Sequence, residues 1–128
     1  MAIRLKKIQK ENPQDRKQSK WYLVQVHSGT VTLQDIAREI ADRSSLSIGD
    51  VENVLANLVE VLPIFLKLNQ TIRLEGFGSF HISVQSTGAE KAEDLTTNNV
   101  KNAKIVFIPS TELKGHIEHL SFEIIKEE

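Results

Sequence analysis

The apolar positions of this chain follow two periods, and the change between them divides it. Ile3 and Leu5 alternate with Arg4 and Lys6, which predicts a strand over residues 2–10. The step from Lys7 to Ile8 shifts that phase and predicts a bulge or strand end near Lys7. Residues 11–19 contain no apolar side chain and read as a loop. Trp21 to Val26 reads as a second strand, able to pair with the first as a hairpin. Trp21 is expected to anchor the hairpin or core.

A helical period follows. Thr32 and Asp35 form a capping-box pair ahead of Leu33, Ile36, Ala37 and Ile40, so a helix is expected over residues 33–43. Ser47 and Asp50 repeat the signature. The second helix carries Val51, Val54, Leu55, Leu58, Val59, Leu62, Phe65 and Leu66. That stripe is wider than one short helix can cover, which argues for a second copy of the chain against it. Pro63 lacks an N–H and should kink or end the helix.

The organising stretch comes next. Thr71 to Phe80 reads strand, Gly76-Phe77-Gly78 turn, strand, and Ile82 and Val84 continue the alternation. Residues 86–102 are polar and long for a loop inside a compact domain. Ile105 to Ile108 form a buried-type strand stopped by Pro109. Ser110 then opens a last helix of about 10 residues through Leu113, Ile117 and Leu120. Residues 121–125 can close the chain as a short strand.

Composition narrows the chemistry. With 128 residues and 5% aromatics, one domain with an aliphatic core is expected. There is no cysteine, so disulfides and thiolate metal sites are excluded. No apolar run approaches ~18 residues, so no membrane partner is expected, and the basic N-terminus lacks the apolar core of a signal peptide. The net charge of −1 is unevenly spread. Residues 1–20 hold Arg4, Lys6, Lys7, Lys10, Arg16, Lys17 and Lys20 against two acids, a net of +5, which points to a polyanion. His116 and His119 are three apart on the expected last helix, but no third ligand accompanies them, so no metal or other cofactor is expected. No nucleophile motif or phosphate loop is present, so neither an enzyme nor a small-molecule substrate is expected.

Two capped helices, a strand–Gly76-Phe77-Gly78–strand, a long excursion, a strand ending in Phe107-Ile108-Pro109 and a final helix together resemble the HU and integration-host-factor family of histone-like bacterial proteins. The resemblance covers roughly residues 31–120, and the N-terminal addition is most similar to atypical HU-like proteins of Bacteroidota. It implies an α+β fold: two N-terminal helices, a β-sheet with an extended β-ribbon arm at about 84–104, and a C-terminal helix. A basic β-hairpin extension (1–30) would precede the dimerising domain (31–128). It further implies an intertwined homodimer whose arms wrap duplex DNA through the minor groove, with a wedge, usually proline, that kinks it. The expected dimer core is Val54, Leu55, Leu58, Leu62, Phe65, Phe77 and Phe80.

The arm departs from that pattern. Residues 86–104 hold Lys91, Lys101 and Lys104 against Glu90, Glu93 and Asp94, with no arginine and no proline. Phosphate contacts are therefore expected from Arg4, Lys6, Lys7, Lys10, Arg16, Lys17 and Lys20 as well as from Lys91, Lys101 and Lys104. The leading expectation is weak, non-sequence-specific duplex binding by a cytoplasmic, nucleoid-associated protein. The alternative is a dimeric protein-interaction module on an HU-like fold with little DNA affinity.

Overall fold

The structure, a computed structural model, describes residues 2–126, and of Asn12 and residues 16–18 it describes the backbone alone. The chain divides into two compact units. One combines the residues up to Val31 with those from Ile117 onward, and the other is Thr32–His116.

In the first unit, β1 (Ile3–Asn12) and β2 (Asp15–Gln25) form an antiparallel hairpin. The register runs unbroken from Leu5↔Gln25 to Glu11↔Ser19, and the one shift falls between Glu11 and Asn12. The expected bulge at Lys7 is therefore absent. Ile8 is out of phase because it serves the opposite face, where it stands across from Tyr22. The polar stretch 11–19 is mostly strand, with Pro13-Gln14 as the tight turn. A ribbon wetted on both faces needs no apolar alternation, so its strands carry a loop-like composition. The closing strand, β6 (Phe122–Ile124), joins this unit by pairing parallel to β1, giving the order β2-β1-β6.

The second unit opens with α1 (Leu33–Asp42) and α2 (Ile48–Leu66), both with complete capping boxes. At α1, Thr32 Oγ1 accepts from the Asp35 N–H, and the Asp35 carboxylate accepts from the Thr32 N–H at 3.0 Å and from its hydroxyl at 2.9 Å. These bonds, the backbone one foremost, hold the Asp35 carboxyl below its ordinary 3.8. A depressed folded-state pKa contributes stability above that ordinary value, and the contribution is lost as pH falls through the folded value. Asp35→Asn should therefore lose less stability than the parent between pH 5 and pH 3. Urea midpoints at the two pH values measure this, and equal losses would contradict it.

α2 runs three residues past Pro63 instead of stopping there. Proline removes only the bond its own N–H would donate, and the Pro63 carbonyl still accepts from the Lys67 N–H at 2.9 Å. Asn69, in the left-handed region at φ 61°, turns the chain out. β3 (Ile72–Leu74), β4 (Gly78–Ser86) and β5 (Val100–Pro109) follow as an antiparallel sheet in that order. β5 starts five residues before the expected strand, so the polar excursion shrinks to residues 87–99. α3 (Thr111–Gly115) is half the expected length. Gly115 is a poor helix interior, and the chain beyond it turns toward β6.

The buried hydrophobic side chains among the described residues are Ala37, Val51 and Leu66. Ala37 lets α1 approach α2 closely, and Val51 and Leu66 stand at either end of one α2 stripe. Three such residues cannot hold a domain of this size, so its apolar surface is left open.

Candidate nucleic-acid interface

The second sheet begins at the two-glycine turn. Gly76 has φ 77° and Gly78 has φ 154°, both costly for other residues. Phe77 is pinned by its N–H to the Leu74 carbonyl and by its carbonyl, which accepts from Ser110 N–H, each at 3.0 Å. Its ring meets Phe80 and Phe107 with centroids 6.2 and 5.4 Å away, and Phe80 lies 4.9 Å from Phe107. Phe107, absent from the sequence-derived list, belongs to this cluster because it stands opposite Phe80 in the ladder.

Register sorts the sheet into two faces. Ile72, Phe80, Ile82, Val84, Ile105 and Phe107 share one, and Ile82 and Ile105 join Pro63 and Leu66 of α2 around an open cleft of about 430 Å³. The other carries Arg73, Ser79, His81, Ser83, Gln85, Asn102 and Lys104, with Val106 and Ile108. Arg73, which is not among the residues expected to contact phosphate, lies here across from Ser79. Alternation about the turn was the signal that could have placed it.

The excursion is built, not loose. Two 3₁₀ turns, Ala92–Asp94 and Thr97–Asn99, fill it. Thr87 N–H donates to the Asn99 carbonyl at 2.8 Å, and Asn99 Nδ2 donates to Thr87 Oγ1 at 3.0 Å. This separates charges that cancel in the sequence. The tip, residues 87–99, holds Lys91 with Glu90, Glu93 and Asp94, a net of −2. The ladder below it holds Lys101 beside the register shift and Lys104 opposite Ser83, a net of +2.

In the first unit, Arg4, Lys6, Lys10 and Lys20 share a face with Ile8, Tyr22 and Val24. Lys7 lies on the other with Trp21 and Leu23, beside Phe122 and Ile124 of β6. Trp21 is 66% exposed, so it is not the expected core anchor. Among the described residues of its own unit no second layer lies on that face, and Trp21 instead lines an open groove with Lys7, Ile124, Ile125 and Lys126. The side chains of Arg16 and Lys17 lie outside the described part.

The seven residues expected in a dimer core separate into sets. Leu55, Leu58 and Leu62 are half-buried and continue the Val51–Leu66 stripe toward their own chain. Val54 and Phe65 are 58% and 45% exposed, on a second stripe with Val61 and Leu68. Phe77 is exposed and Phe80 half-buried within the aromatic cluster. His116 and His119 do not share a helix face, because α3 ends before either. Among the described residues no three His, Asp or Glu side chains group as metal ligands. No helix among them is long and apolar enough to cross a membrane.

A family model described as an HU domain fused to a wHTH, Ig or glycine-rich motif matches residues 1–124. This chain belongs to that HU family. Integration host factor subunit alpha from two strains of Haemophilus influenzae is 28% identical over 92 residues, which is 70% of this chain and 95% of that one. Anabaena HU, solved with DNA, superposes with a TM-score of 0.53 at 15% identity, over 69% of this chain and 98% of that one. A Bacteroides vulgatus protein, provisionally assigned as DNA-binding, superposes with a TM-score of 0.65 at 9% identity over 99% of this chain. This chain spans half the length of that protein. At these identities the two structures establish the fold: mixed α+β, of HU type.

Proposed function

We propose that this HU-family chain is an architectural, non-sequence-specific duplex-DNA-binding protein that works as a homodimer, associated with the nucleoid in the cytoplasm. HU and integration-host-factor proteins are DNA-binding architectural proteins, not enzymes. Family membership over residues 1–124, together with a ribbon built from β4 and β5, carries the reading. The second unit then corresponds to the dimerising domain with its arm, and the exposed stripe of Val54, Val61 and Phe65 on α2, continued by Leu68 just past its end, would meet its counterpart on the partner. Arg73, Lys101 and Lys104 supply phosphate contacts along the ladder. The acidic tip, with exposed Leu95 in place of a proline wedge, is a poor clamp.

That acidic tip favours the second reading, a dimeric protein-interaction module with little DNA affinity. Titrating the protein into labelled duplex at several salt concentrations separates the two. The DNA reading expects binding tighter than ~10⁻⁴ M at low salt, weakening as salt rises. Lys101→Gln/Lys104→Gln should flatten the dependence of log K on log salt by about 1.8 for each arm engaged, at 0.9 per phosphate contact. Binding no tighter than ~10⁻⁴ M at low salt overturns the DNA reading.

A further inference from the structure

We propose that the β2-β1-β6 sheet is a separate binding surface for the backbone of duplex DNA, formed by Lys6, Lys10 and Lys20, with Glu123 holding Arg4 out of it. The inference rests on the DNA-binding reading above and assigns it a second site.

Register makes the surface. Lys6 pairs with Val24, Ile8 with Tyr22 and Lys10 with Lys20, so the three ammonium groups rise from one face. Lys10 and Lys20 stand directly opposite each other, an arrangement that costs stability unless an anion lies between them. Among the described residues no ion pair reaches either of them. Among the described residues, the single carboxylate along this face from Arg4 to Lys10 is Glu123, which β6 brings opposite Arg4 with Nε and Oε1 3.8 Å apart. Lys6, Lys10 and Lys20 have no ion pair among the described residues.

The face suits a phosphate backbone. Lys6 and Lys10 are four strand residues apart, about 13 Å, and each DNA strand presents a phosphate every ~3.4 Å of axis. Lysine acts as a mobile point charge that follows such a line without bidentate geometry. The Lys10 ammonium lies 5.9 Å from the Tyr22 ring centroid, which holds it over the sheet. Between the lysines the surface is Ile8, Tyr22 and Val24, and contacts to phosphates alone carry no sequence information directly.

The test is the salt dependence of duplex binding by the full chain, read by fluorescence anisotropy. Lys6→Gln/Lys10→Gln/Lys20→Gln should lower the slope of log K against log salt by about 2.7 for each sheet engaged. The affinity lost between 50 and 200 mM salt would then shrink about 40-fold relative to the parent. Lys7→Gln, on the opposite face, should leave the slope unchanged. Glu123→Gln should release Arg4 and raise the slope by about 0.9. Circular dichroism establishes that the variants fold. A triple variant with the parent's slope overturns the inference while leaving the DNA reading intact. So does a Lys7→Gln effect equal, per charge, to that of the triple variant, since net charge and not this face would then be responsible. An unchanged Glu123→Gln slope overturns the role given to Arg4. A parent chain that does not bind overturns the DNA reading itself.

Discussion

Gly78→Ala is expected to destabilise the second unit by about 3 kcal/mol or more, the largest single effect in the chain. Gly78 sits in the left-handed half of backbone space at φ 154°, and an added Cβ would run into the Ile108 carbonyl oxygen and lie 2.7 Å from the Phe107 ring. Backbone cannot retreat here, because Gly78 pairs with Pro109 at the base of the β4–β5 ladder. Moving Phe107 would also break its contacts with Phe77 and Phe80. Thermal unfolding measures the effect: at about 4–8 °C per kcal/mol, the midpoint should fall by at least ~12 °C. Gly88→Ala is the matched control, since a Cβ there meets nothing within 4 Å and no positive φ is involved. Equal midpoints for the two variants would show that this turn tolerates a side chain.

The second large effect concerns assembly. Val54→Asp/Phe65→Asp should convert a dimer to single chains of 14.4 kDa, read by light scattering. Both residues lie on the exposed stripe of α2, away from the Val51–Leu66 stripe that faces the rest of the chain. The double variant should therefore keep its helical circular dichroism. Two carboxylates buried against a partner cost about 4 kcal/mol or more together, a thousandfold or greater rise in the dimer dissociation constant. A parent chain already at 14.4 kDa would remove the dimer from the proposed function.

The local rules read well from sequence wherever one residue type settles the geometry. Both capping boxes, at Thr32/Asp35 and Ser47/Asp50, are present. The Gly76-Phe77-Gly78 turn and the strand end at Pro109 are also as expected. What escaped depends on partners distant in sequence. Residues 11–19 looked like loop because a thin, doubly wetted hairpin has no buried face to impose alternation. Trp21 looked like core because aromatics usually are, but its sheet has no second layer within the unit. Lys7 could not be separated from Lys6 and Lys10 by composition, since only the register puts it on the other face. The zero net charge of residues 86–104 hid an acidic tip above a basic ladder, because a sum discards position.

The parallel pairing of β1 with β6 also sets an order of events during synthesis. Ile3 meets Phe122 across nearly the whole chain, and closing an unstructured loop of that length costs roughly 4 kcal/mol. Folding of Thr32–His116 first shortens the loop, so the third strand docks last. Until Glu123 leaves the ribosome, Arg4 has no carboxylate opposite it and the N-terminal hairpin carries its full positive charge. A nascent chain, or one truncated after His116, would therefore be a stickier partner for nucleic acid than the finished protein.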